Sequence, residues 1–303
     1  MKQLIRFSTP QRAAHFLASL AGMLLLITGL PITFSRELGW MIDLMGGEVV
    51  SMLVHRIAAL ILTFTIAYFG TYFIIERMNS RGRGDSNITF TKPTFFFSIL
   101  TDMIADMLWT FHLTDKRPKS GKYDWVMVAD ILSVPTFCVI EIITGALLWF
   151  PFPYLSFNPE LVLLMRTIHV FVAVFAIFFV FAHATILHWT PGNYPINMGI
   201  FNGLMPKHKA EGEVPEWIPV APESDKPAKP YKFHPIGYVV GILSLGVMLL
   251  AAYITYMLGT EGLAGFRLME ESMAAFIGLN AVMVIFVVYV IMSFYGLSKA
   301  ISE

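Results

Sequence analysis

The chain has 303 residues, of which 56% are apolar and only 14% charged, against about a quarter charged in soluble domains. Its mean hydropathy of +0.66 excludes a disordered chain and a water-soluble fold of this size. Lys+Arg and Asp+Glu both number 21, and Cys138 is the only cysteine. A basic nucleic-acid binder, a disulfide framework and a thiolate metal site within one chain are therefore excluded. A metal here is left with His and carboxylate ligands.

A bilayer core of ~30 Å needs ~20 apolar residues in a helix, and six stretches qualify. The first covers residues 14–34, with His15 at its mouth. Lys2, Arg6 and Arg12 precede it, as in a signal peptide, but the run is longer than a usual signal core. The second covers 52–75 and opens on His55 and Arg56. The third covers 125–150 and holds Asp130 and Glu141. The fourth covers 161–189 and carries Arg166, His169, His183 and His188. The fifth (235–258) and sixth (273–297) hold no charged residue.

Between the second and third stretches, 94–113 reads as an amphipathic helix lying on the membrane surface, with Asp102 and Asp106 on one face. Seven prolines from Pro206 to Pro235 predict an extended linker over 206–234. No internal repeat stands out. The expected architecture is all-α and integral to the membrane. It has a four-span core over 1–205, the linker, and a two-span hairpin over 235–303. Seventeen of the 21 basic residues fall in alternate connections, which places both termini in the cytoplasm.

Ionisable residues inside spans are functional candidates by default. Given this topology, His15 and His183 lie near the inner face, and His55 and His169 near the outer one. His169 and His183 are 14 residues apart, so they point to nearly the same side of one helix and lie ~21 Å apart along it. His55 then meets His169, and His15 meets His183. A lone His in an apolar span is most often a hydrogen-bonded packing residue. Four that pair on two levels suit two six-coordinate haems, each with imidazole on both faces and no open position. Zinc is a poorer fit, because two His at each level are too few.

Gly22, Gly29 and Gly145 are candidates for close approach of a flat macrocycle. Arg12, Arg56 and Arg166 are candidates for its propionates. By α-helical geometry His188 points about 140° away from His183, a surface or quinone-site position. His112, His208 and His234 read as solvent-exposed. Glu141, deep in its span, must be neutral, paired or water-connected; a hydrogen-bonded structural role and proton conduction are both open.

These residues resemble the di-haem cytochrome b subunits of respiratory formate dehydrogenase (its gamma subunit) and of nickel–iron hydrogenase. The likeness runs from about Arg6 to Phe201. It rests on Arg12-Ala13-Ala14-His15, on His55-Arg56, on Thr144-Gly145, and on His169 with His183 followed by an aromatic, Gly-containing turn. The resemblance implies two b-type haems, with His55 and His169 on the outer iron and His15 and His183 on the inner. It implies a bacterial or archaeal cytoplasmic membrane and an iron–sulfur or multihaem partner on the periplasmic side. It also implies menaquinone or ubiquinone as exchangeable substrate near the cytoplasmic face, where Asp130, His188 and Asn193 are candidates.

By this reading the chain transfers electrons and is not itself catalytic towards the primary substrate. The fifth and sixth spans depart from the family core and read as a surface for another membrane subunit. The stretch Gly121-Lys122-Tyr123-Asp124-Trp125 only partly meets the family's polar pattern. The alternatives are a proton-coupled transporter, which favours inverted repeats and interrupted helices, and a haem-free membrane anchor.

Overall fold

The computed structural model describes residues 2–80, 95–115, 118–150, 158–189, 193–194, 196–226, 235–261 and 273–302. Arg81, Arg83, Lys92, Lys116, Arg117, Lys229, Lys232, Arg267 and His234 lie outside the described residues, as do Pro227, Pro230 and Gly192. In chain order come β1 (Gln3–Ile5), α1 (Thr9–Thr33), α2 (Ser35–Leu44), α3 (Glu48–Ser80), α4 (Phe95–Thr110), α5 (Trp125–Trp149) and α6 (Pro159–His183). A π-turn (Ala184–His188) follows, then α7 (Gly199–Asn202), β2 (Leu204–Pro206), α8 (Lys207–Glu213), a 3-10 turn (Ile218–Val220), β3 (Glu223–Ser224), α9 (Ile236–Glu261) and α10 (Met273–Ser302).

Six helical stretches are long and apolar enough to cross a membrane: Thr9–Thr33, Glu48–Ile75, Trp125–Trp149, Pro159–His188, Ile236–Tyr256 and Phe276–Ser298. Large apolar side chains stand exposed along them, among them Phe64, Ile242 and Leu249. Water would penalise such surface, whereas lipid does not. The chain is a multi-pass membrane protein.

One compact unit comprises Ala13–Ala67, Thr136–Asn197 and Lys232–Glu303. Its core forms where α6 meets α9. Val170, Val174, Ile177 and Phe181 recur at helical spacing and make one buried stripe on α6. Val247, Ala251 and Ile254 of α9 pack into the same core, as do Leu279, Met283 and Phe286 of α10 and Met23, Leu26 and Leu30 of α1. The Trp40 indole N–H of α2 donates to Asn280 Oδ1 of α10 at 2.8 Å. Because the stripe occupies one side of α6, His169 and His183 are left on another.

The other unit comprises Met1–Arg12, Tyr68–Pro135 and Met198–Tyr231. Here the expected extended linker departs from its composition. β2 and β3 flank β1 in an antiparallel sheet of order β2-β1-β3, with Leu4 opposite Met205. Leu4, Met205, Ala210, Val214 and Trp217 close a small core. Strand pairing to the N-terminus satisfies backbone groups that the prolines leave unpaired in a helix.

Arg6 is half-buried beside this core and donates to the Lys122 carbonyl at 3.3 Å. Burial pulls its guanidinium below the ordinary value, with Asp124 and Glu213 opposing. α4 packs Ile99 against Phe73 and Val128, and Asp106 accepts the Trp125 indole N–H at 3.1 Å. Exposed His112 ends α4 in a left-handed conformation, φ 57°.

Candidate functional site

α6 carries one histidine of each of two clusters, His169 near its middle and His183 at its C-terminal end. At the first, the rings of His55 (α3) and His169 (α6) meet with centroids 6.4 Å apart and planes at 70°. Each is held from behind by a Thr-Gly step on a neighbouring helix. Thr28 Oγ1 (α1) donates its one proton to the Leu24 carbonyl at 2.7 Å and lies 2.8 Å from His55 Nδ1. Thr144 Oγ1 (α5) donates to the Ile140 carbonyl at 2.8 Å and lies 2.9 Å from His169 Nδ1. A hydroxyl whose proton is already spent can only accept, so both rings carry their hydrogen on Nδ1. That leaves the Nε2 lone pair of each ring free for a metal.

The following glycines are part of the same device. A Cβ on Gly29 would stand 3.1 Å from His55 Cε1, and one on Gly145 would stand 3.2 Å from His169 Cε1. These two glycines therefore admit the imidazole rings. Gly22 meets nothing within 4 Å. Glu141 adds a third contact: its Oε2 lies 2.6 Å from His169 Nδ1. Its Oε1 is buried without a hydrogen-bond partner among the described residues. The cradle was readable as a repeat of Ile-Thr-Gly at 27–29 and 143–145, a pattern too short to stand out by itself.

At the other end, His15 (α1) and His183 stack with ring centroids 5.8 Å apart. His188 joins them, its ring 6.4 Å from His15 and 5.4 Å from His183. The ligand atoms of the three lie within 4.8 Å of one another. This corrects the expected outward orientation of His188, which is 3% exposed. The cause is the π-turn: the Trp189 N–H bonds the Ala184 carbonyl, an i→i+5 bond, at 2.9 Å. The wider turn brings residue i+5 back towards the face of residue i.

His188 nevertheless differs from the facing pair. Its Nδ1 accepts the Asn197 backbone N–H at 3.3 Å, so the neutral ring carries its hydrogen on Nε2 and presents a donor. Asn193 gives its side-chain N–H to the Leu187 carbonyl at 3.0 Å, serving a backbone group of the π-turn.

The arginines diverge. Arg12 donates to the Phe201 carbonyl at 2.6 Å and to Thr9 Oγ1 at 2.9 Å, and its Nε is buried without a hydrogen-bond partner among the described residues. Exposed Arg56 lies over the Trp149 ring at 5.2 Å. Arg166 is exposed. Asp130 is half-buried on α5, in the unit that holds the sheet.

Residues 6–192, more than half of the chain, match the family described as prokaryotic cytochrome b561. The chain belongs to this family. The match begins just after β1 and runs past the π-turn, and so includes all five clustered histidines. No curated protein matches the chain. Proteins of the family bind b-type haem and transfer electrons in membranes, and the donors here fit that cofactor. Imidazole nitrogens about 2.0–2.1 Å from a metal on opposite sides of it put the ring centres about 6 Å apart. The 6.4 and 5.8 Å separations agree with this. The Thr-Gly cradles orient Nε2 of His55 and His169 as ligand atoms, which is the usual outer-layer support of a metal-bound imidazole.

Proposed function

We propose that the chain is the di-haem cytochrome b subunit of a quinone-linked respiratory complex, of the formate dehydrogenase or nickel–iron hydrogenase type. The observation that carries this reading is the pair of facing imidazole sites on one helix. Both sites lie on the side of α6 that the apolar stripe leaves free, ~21 Å apart along its axis. In it, His55 and His169 hold an outer haem, and His15 and His183 an inner one. Bound haem supplies one-electron transfer between the two faces of the membrane.

The chain's own residues do the rest. Thr28, Thr144 and Glu141 hold the ligand rings in one tautomer. Arg12 keeps a buried guanidinium N–H that suits a propionate oxygen. His188 lies buried beside the inner pair, where it is the candidate to hydrogen-bond a quinone carbonyl. An iron–sulfur or multihaem partner exchanges electrons at the outer face, and menaquinone or ubiquinone at the inner. The bare apolar faces of α9 and α10 contact lipid or a further membrane subunit.

The test is a pyridine haemochrome assay on the purified chain. The expected result is two non-covalent b-type haems per polypeptide. One haem means that one His pair is structural, and none overturns the cytochrome reading for this chain.

A further inference from the structure

The two cradles at the His55/His169 site are alike except at one position. Glu141 precedes Thr144 by three residues, and Leu25 precedes Thr28 by the same step. Residues 141, 144 and 145 share one face of α5, and the first two converge on a single ring nitrogen, His169 Nδ1, at 2.6 and 2.9 Å. His55 has only neutral acceptors at this position, the hydroxyl of Thr28 and the backbone carbonyl of Leu25, with an aliphatic side chain where the carboxyl would be. The two imidazoles facing one metal position are therefore unequal.

We propose that Glu141 is a positioning residue that sets the reduction potential of the outer haem by acting through His169. A carboxylate accepting Nδ1–H draws electron density onto the ring and makes it a stronger ligand. A stronger ligand favours ferric over ferrous iron, as does the negative charge itself in a low-dielectric setting. Both effects have the same sign, so Glu141 lowers the potential. A low outer potential favours electrons running inward: the outer partner is oxidised, and the quinone at the inner face is reduced. The inference rests on the two-haem reading and assigns the tuning of its outer haem to Glu141.

The experiment is an optical potentiometric titration of the full-length, haem-loaded chain, with ferric EPR of the same samples. In E141Q, one of two midpoints moves up. At a fixed ambient potential the reduced-to-oxidised ratio of that haem rises about tenfold, which is about 59 mV for one electron. The other midpoint stays in place. E141L, which copies the Leu25 side, moves the same midpoint at least as far, and its low-spin EPR signal changes with it. E141D keeps the carboxylate, stays nearer the wild-type midpoint, and carries the test if E141Q loses haem.

Midpoints that do not move in E141Q and E141L overturn the proposal, as does an equal shift of both haems. An E141D shift as large as that of E141L overturns it too. The underlying reading fails separately, by haem content: a wild-type chain with fewer than two haems, or His169→Ala retaining two, removes it whatever Glu141 does.

Discussion

At the His55/His169 site, both rings are gripped from behind by neighbouring helices. Two Thr-Gly steps and one carboxyl fix their tautomer. At the His15/His183 site, a break in helical winding adds a third ring, and that ring presents a hydrogen. The first site is closed around its ligands, as suits a centre that only passes electrons. On the proposed reading, the second places His188 next to its ligand pair, as suits a centre that also meets a substrate needing protons. The same helix supports both, because α-helical winding continues through His169 and gives way to the π-turn after His183.

The comparison is broken most directly at the rings. His55→Ala or His169→Ala is expected to lower haem content from two to one, and His15→Ala or His183→Ala to remove the other, both read by pyridine haemochrome. His188→Ala should keep both haems. If His183→Ala keeps two haems and His188→Ala loses one, the ligand at the inner site is His188, and the tautomer argument fails. Next in size is turnover. His188→Ala is expected to slow quinone reduction about tenfold, the scale of losing one hydrogen bond to a reacting group. His188→Gln, which keeps an acceptor for Asn197 and a donor towards the site, should recover part of it.

The cradles come next. Gly29→Ala and Gly145→Ala push a methyl against a ligand ring and should cost about 1–3 kcal/mol of stability, seen as a lower thermal midpoint of the haem-loaded protein. Gly22→Ala, with nothing nearby, serves as the control. The smallest effects separate the two threonines. Thr28→Val leaves the His55 Nδ1–H without its hydroxyl acceptor, at about 1–3 kcal/mol. Thr144→Val leaves Glu141 on His169 and should cost less. Equal losses in the two variants would show that Glu141 holds His169 no better than the Leu25 carbonyl holds His55.

The sequence by itself determined the membrane class and the six spanning helices, because a hydrocarbon layer imposes a length and a composition that hydropathy reads directly. It also determined that His169 and His183 share a side of one helix, since 3.6-residue winding is nearly universal. Only the tertiary structure decided the rest. His188 turns inward because one wide turn replaces an α-helical one, and no composition signals that choice. The segment from Leu204 to Ser224 folds, despite its prolines, because its pairing partner is Gln3–Ile5, some 200 residues away in sequence. The threonine, glycine and carboxyl contacts to His55 and His169 join residues 24 to 28 positions apart on separate helices. Such contacts depend on how helices are rotated against one another, which is fixed by packing between them and not by the order of residues along any one of them.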